Sequence, residues 1–448
     1  MDNRRIHDGI ARVLPQARAD LERLVRIPSV SFAGFDPEQV QRSALATREI
    51  LDECGMETQI LEVDGAHPAV LGRIPAPEGA PTVLLYAHHD VQPEGPRELW
   101  DTDPYEPVEK DGRLYGRGSS DDKAGIAVHS AAIRAWEGRP PVGVTVFVEG
   151  EEESSSEHLP EFLSRYGDLL SADAVILADS GNWRVGEPAL TISLRGIVAL
   201  FVELRTLDHA VHSGEYGGAI PDALMSLCRL LASLHDDEGR VAVPGLVSGD
   251  AEPLDLTEEE LRGWAGVRPG VKLIGDGTLT SRMWMRPAIS VLGIDAPRTQ
   301  EASNQLVPFA RAKVSMRIPP GQDPEKARDA LIHHLESNVP WGAELTVLPE
   351  GIGAPYRLEA EGPAYEALRR AFGEAFGVAP VDMGAGGSIP FLAAFAETFP
   401  NAALLLTGAA DPGSAPHSEN ESLSLADFER SCLSEALFLG YLAESAST

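Results

Sequence analysis

In the stretch Thr82-Val83-Leu84-Leu85-Tyr86-Ala87-His88-His89-Asp90, an apolar run without polar alternation ends abruptly on two imidazoles and a carboxylate. A short run of this kind, rich in Val and Leu, reads as a strand buried on both faces, as in a sheet covered by helices. Ala69–Ile74, Val142–Val148 and Ala174–Ala178 repeat the pattern. Helical stretches at about 121–136 and 157–166 separate several of these runs, which gives an α/β layered domain. Upstream, two helices are expected. Ile10, Val13, Leu14, Ala17, Leu21 and Leu24 recur at helical spacing, with Pro15 expected near a boundary or kink. The second stripe runs from Val40 through Ala44, Thr47 and Leu51 to Cys54, which places Cys54 in a core.

From about Thr191 the pattern changes. Thr191–Leu204 reads as strand, Pro221–His235 as helix, Pro287–Ile294 and Leu306–Ile318 as strands, Pro324–Asn338 as helix and Ala343–Leu348 as strand. The order β-α-β-β-α-β is the split βαβ, or ferredoxin-like, arrangement. An acidic segment at 236–286 interrupts it, and Thr257-x-x-Glu260 there has the form of a capping box. Its role is open between a cover over a site and a passive surface loop. After Glu350 the α/β pattern resumes, with a helix at about 361–376, a strand Ala402–Thr407 and a final helix from about Ser424. The fold class is therefore α/β, a mixed-sheet catalytic domain at 1–190 and 353–448 interrupted by an α+β domain at 191–352.

Composition limits the partners. Of 448 residues 43% are apolar and 24% charged, as in ordinary globular chains, and the formal charge is −32. Such acidity argues against nucleic acid and against an anionic membrane surface. No window reaches the roughly 18 apolar residues of a spanning helix, and the first residues run straight into an amphipathic pattern, so no secretory signal is expected. Cys54, Cys228 and Cys432 are far apart. They exclude a disulfide framework and a cysteine zinc site, and they fit a reducing cytoplasm.

The strand ends carry the chemistry. Thr82–Ala87 runs into His88-His89-Asp90, Val142–Val148 into Glu149-Gly150-Glu151-Glu152-Glu153, Ala174–Ala178 into Asp179, and Ala402–Thr407 into a loop with Asp411 and His417. Ligands of open α/β sheets bind beyond the carboxyl ends of strands. Asp121-Asp122 follows a glycine-rich turn and opens a helix. Each motif has an ordinary alternative: a surface histidine, an N-cap, a solvated Glu run, a turn-forming Asp. Together, imidazoles and carboxylates without cysteine at one rim suit a divalent ion such as Zn, Mn or Co.

Tyr86-Ala87-His88-His89-Asp90-Val91-Gln92-Pro93 resembles the first metal motif of the M20 metallopeptidases, and Tyr115-Gly116-Arg117-Gly118-Ser119-Ser120-Asp121-Asp122-Lys123 resembles the second. Glu149–Ser154, Asp179–Trp183, His212-Ser213-Gly214, Gly386–Pro390 and Ala415–Ser418 resemble the remaining motifs in order. The resemblance spans roughly residues 10–440 and is nearest the carnosine-type dipeptidase and glutamate carboxypeptidase branch. It implies a catalytic domain with an inserted lid and dimerisation domain, hence a homodimer. It implies two divalent ions, Zn or alternatively Mn or Co, with His88 and Asp179 holding one, Glu153 and His417 the other, and Asp121 between them. Glu152 would be the general base, with Glu151/Glu152 an open alternative register. Asp90 would orient His88. Arg317, Asn304, Gly387 and Ser388 would hold the substrate, and His212 would stabilise an oxyanion, with His209 the competing candidate. Ala-Val stands before His212 where the family usually has Asp-Leu, and Ala87 and His89 replace the commoner Gly and Tyr. The expected activity is hydrolysis of dipeptides or small peptides with a free C-terminal carboxylate. The alternatives are an N-acyl amino-acid amidohydrolase, or a catalytically silent binding protein.

Overall fold

A computed structural model describes residues 3–387 and 390–445. It divides into two compact units: Met1–Ile192 with Leu358–Met383 and Pro390–Thr448, and Ser193–Arg357 with Gly384–Ile389. The short return of Gly384–Ile389 to the second unit has no counterpart in the sequence-based division.

The first unit is built on a six-stranded sheet. Its spatial order is Glu57–Leu61, Ala69–Ile74, Gly143–Glu149, Thr82–His88, Ala174–Leu177 and Ala403–Leu406. The first two junctions are antiparallel and the remaining three parallel. The parallel strands are almost wholly buried, which is why their sequences lack alternation. On one face Val83, Leu85, Val144, Val146 and Ile176 pack with residues of the helices Asn3–Val25, Lys123–Ala135, Pro363–Phe376 and Leu425–Ser445. On the other, Tyr86 and Phe147 meet an aromatic layer: Tyr86 lies 4.5 Å from Phe391 and 5.5 Å from Phe395, ring centre to ring centre. The first helix runs unbroken through Pro15. The second spans Pro37–Glu53 with a buried Cys54 as its C-cap.

The second unit holds a four-stranded antiparallel sheet in the order Ala288–Asp295, Phe309–Ile318, Gly196–Arg205, Glu344–Gly353. Numbered along the chain these strands run 2-3-1-4, the ferredoxin-like order. Ala223–Ala232 and Pro324–Ser337 are its helices, and Leu227, Leu230, Leu331 and Leu335 share a core with Val198, Leu200, Val314 and Met316. The strand expected over Thr191–Leu204 is two strands, Ala189–Leu194 and Gly196–Arg205, parted at Arg195. In the 236–286 segment, Thr257 and Glu260 form the expected capping box on the short helix Glu258–Trp264. No helix among the described residues is long and apolar enough to cross a membrane.

The aromatic layer should weigh heavily in stability. Phe395→Ala is expected to cost about 3–5 kcal/mol. Leu99→Ala, at an exposed position, should stay within about 0.5 kcal/mol of wild type. Denaturant midpoints of the two variants check the contrast.

Candidate metal centre

Parallel strands deliver their carboxyl ends to one rim, and the rim of the first unit is where its acids and imidazoles collect. His88 closes the strand Thr82–His88, opposite Glu149 of its parallel neighbour. Asp179 lies two residues beyond Ala174–Leu177, and the loop after Ala403–Leu406 carries His417. Two donor clusters result, His88 with Glu152 and Asp179, and Asp121 with Glu153 and His417. Within each, the donor atoms lie within 4.8 Å of one another.

Asp121 stands between the two. Its Oδ1 is 3.2 Å from His88 Nε2, and its Oδ2 is 3.0 Å from His417 Nε2. His417 Nε2 is also 3.3 Å from Glu153 Oε2. Ligand atoms about 2.0–2.2 Å from one tetrahedral ion stand about 3.3–3.6 Å apart, so these spacings need little change to accept a cation.

Asp90 is fully buried and fixes several of these parts at once. Its carbonyl oxygen is 3.1 Å and its Oδ1 3.3 Å from His88 Nδ1, which leaves Nε2 to face Asp121. Its carboxylate also accepts from the Glu152 N–H at 3.2 Å, the Glu153 N–H at 3.0 Å and the Ser31 hydroxyl at 2.7 Å. Glu153 is further held by Gln92, whose backbone N–H and side-chain amide donate to it at 3.1 and 2.8 Å.

The electrostatics of the clusters favour a cation. Burial, and then the charge of Asp179, push the Glu152 carboxyl well above its usual range. Burial and Asp121 do the same to Asp179. Glu153 is raised to about 7 by burial and by Asp121. Burial alone would raise Asp121 and lower His88. Their mutual hydrogen bond, with those of His417 to Asp121 and Asp90 to His88, reverses both shifts. Buried carboxylates this close cannot all ionise without a compensating positive charge. Imidazole and carboxylate donors without cysteine fit a divalent cation of the zinc, manganese or cobalt kind.

Neighbouring candidates turn elsewhere. Glu151 accepts from the His158 N–H at 2.7 Å and the His67 N–H at 3.2 Å, so the acids brought together are Glu152 and Glu153. His89 is buried, with Nε2 2.9 Å from the Pro68 carbonyl. Asp122 caps the helix Lys123–Ala135, and Asp411 is engaged by Arg113 at 2.9 Å.

The second unit holds the remaining sequence-derived residues. His212 is exposed on a two-residue strand paired with Gln305–Leu306, and its Nδ1 accepts from the Gly214 N–H at 3.1 Å. The Asn304 carbonyl accepts from the Ser213 N–H at 3.0 Å. His209 is exposed. Arg317 lies opposite Ile197 in the sheet, and its charge reaches Arg195, two residues before Ile197. Sequence reasoning missed Arg195. Its signal was a lone cation inside a run read as continuous strand. Burial and the charge of Arg317 lower Arg195 to about 10, and its Nε is buried without a hydrogen-bond partner among the described residues. A Cβ added at Gly386 would come within 3.0 Å of the Arg195 guanidinium, so the Gly386-Gly387 turn lies against it. Ser388 lies outside the described residues.

Comparison with known proteins agrees with this chemistry. The profile of Peptidase family M20/M25/M40 matches residues 84–439. A cysteinylglycine-S-conjugate dipeptidase of Corynebacterium striatum is 35% identical over 399 residues, covering 87% of this chain and 87% of the relative. A Beta-Ala-His dipeptidase of Rattus norvegicus is 30% identical over 439 residues, covering 94% and 87%. The crystal structure of human carnosine dipeptidase 1 superposes with a TM-score of 0.84 at 25% identity, over 99% of each chain. Fold and site thus define a metal-dependent hydrolase. The chain belongs to peptidase family M20/M25/M40 and is a metallopeptidase.

If Asp90 orders the centre, Asp90→Asn should weaken divalent-cation binding by about 10–100-fold in a chelator competition. Glu151→Gln should leave that affinity unchanged.

Proposed function

We propose that the chain is a dipeptidase with a dinuclear centre, hydrolysing the amide bond of dipeptides and small peptides that carry a free C-terminal carboxylate. The observation that carries this reading is Asp121, whose two oxygens face His88 and His417, each in its own donor cluster. A carboxylate so placed suits two cations about 3.5–4 Å apart. His88 and Asp179 would hold one, Glu153 and His417 the other, with zinc, or alternatively manganese or cobalt, as the ion. The relatives' names favour dipeptides over N-acyl amino acids, and the intact donor set speaks against a silent binding protein.

When bound, such ions polarise the amide carbonyl and lower the pKa of water toward neutrality. The chain's own residues do the rest. Glu152 takes the proton of the attacking water and passes it to the leaving amine. Asp90 holds the His88 ring and the backbone of Glu152 and Glu153. Arg317 grips the substrate carboxylate with its planar fork, Arg195, whose charge interacts with that of Arg317, adds a second positive charge, and Asn304, Gly387 and Ser388 complete the clamp. Because the Gly214 N–H donates to His212 Nδ1, the neutral ring carries its proton on Nε2. That tautomer is the donor a developing oxyanion requires.

A homodimer through the second unit is part of the same reading. The strand Ala288–Asp295 lies at the edge of its sheet, with Leu292 60% and Ile294 47% exposed. An unpaired apolar edge is a template for strand pairing across a two-fold axis. Three cysteines without a disulfide fit a cytoplasmic location.

A panel of free dipeptides, amidated dipeptides and N-acyl amino acids tests the substrate class. Free dipeptides should turn over fastest, amidated ones poorly, and Arg317→Ala should erase the preference for the free acid. Faster turnover of N-acyl amino acids would reverse the assignment. Glu152→Gln should lower turnover by about two to four orders of magnitude while bound metal, measured by elemental analysis, is retained.

A further inference from the structure

Asp121 and His417 come from a turn and a loop far apart in sequence, and one buried side chain joins the two. Glu421, four residues beyond His417, is fully buried. Its Oε2 accepts from Arg117 Nη1 at 2.8 Å and the Gly118 N–H at 2.9 Å. Its Oε1 accepts from the Ser120 N–H and hydroxyl, both at 2.9 Å, and from the Asp121 N–H at 3.1 Å. Its carbonyl accepts from the Gly116 N–H at 3.0 Å. The whole turn that presents Asp121 is therefore wrapped around one carboxylate. Arg117 returns the tie, donating to the Ser418 carbonyl at 3.1 Å, one residue from His417.

The His417 side needs such a tie. Its side chain is 59% exposed, so packing does not place it. Ala415, His417 and Asn420 all have left-handed backbone, with φ of 52°, 62° and 61°. Non-glycine residues persist there only when their surroundings over-determine them. His88 and Asp179, by contrast, follow directly from strands of the central sheet.

We infer that Glu421 is a positioning residue that sets the Asp121–His417 spacing, and so controls the affinity of the ion held by Glu153, His417 and Asp121 more strongly than that of the ion held by His88 and Asp179, which shares Asp121 but not His417. The inference rests on the dinuclear reading above. It places Glu421 outside the reacting groups: it touches neither substrate nor ion and acts through the turn and the loop.

Titration of the metal-free full-length protein with Zn²⁺ against a chromophoric chelator tests it without measuring turnover. Wild type should bind two ions. Glu421→Gln, which replaces an accepting oxygen by an amide NH₂, should weaken one of them by about 10–100-fold and the other, which shares Asp121 but not His417, by clearly less. Glu421→Asp, which keeps both acceptors on a shorter arm, should recover part of the loss. Ser120→Ala removes only the hydroxyl bond and should shift the same ion by less, so it decides the matter if Glu421→Gln fails to fold. Glu374→Gln breaks a remote contact with Tyr441 and serves as the stability comparator, with both affinities kept. Wild-type affinities in Glu421→Gln or Ser120→Ala, or equal weakening of both ions, would overturn the inference. Fewer than two ions in wild type would instead overturn the dinuclear reading on which it depends.

Discussion

One carboxylate shared between two imidazoles makes a severe geometric demand. Asp121 must stand at hydrogen-bond distance from His88, which a central strand holds rigidly, and from His417, which a distant loop presents. Much of the first unit answers that demand. The parallel ladder fixes the height of His88 against Glu149. Asp90 locks the imidazole and the Glu152–Glu153 backbone in one stroke. A turn whose Gly118, Ser120 and Asp121 N–H groups converge on the Glu421 carboxylate presents Asp121 itself.

The arrangement runs against the ordinary preference of a protein interior. Glu152, Glu153 and Asp179 are crowded where burial and one another's charge disfavour ionisation. Such a cluster survives because the surrounding fold is committed to it by apolar packing on both faces of the sheet. Elsewhere many ion pairs, such as Arg5–Glu137 and Arg328–Asp329, lie at the surface and add little.

What could be read from the sequence follows from how strongly each element is buried. Strands such as Thr82–His88 and Gly143–Glu149 are apolar on both sides and announce themselves. The edge strand Glu57–Leu61 alternates between exposed and half-buried positions up to a buried Leu61 and carries polar residues, so no apolar run marks it. His88, Glu152, Glu153, Asp179 and His417 were legible because they follow an apolar run, Asp121 because it follows a glycine-rich turn, and the resemblance then joined them into a set. Arg195 and Glu421 were not legible in the same way. Their meaning depends on register across a sheet and on contacts three hundred residues apart in the chain, and local pattern carries neither. Which of the three adjacent Glu side chains come together is likewise invisible to local pattern, since they differ only in where the backbone turns them.

The order of strands in the first sheet has a consequence for biosynthesis. Ala174–Leu177 pairs on its outer side with Ala403–Leu406, and the whole of Ser193–Arg357 is translated between them. At about 5–20 residues per second, the ribosome takes roughly ten to thirty seconds to traverse that segment. A sheet that forms before this interval ends would carry an open, apolar, parallel edge, of the kind that attracts foreign strands. The inserted unit can fold meanwhile on its own core. The six-stranded sheet must wait for Ala403–Leu406, and a chaperone that shields that edge during the pause would protect the yield of the enzyme.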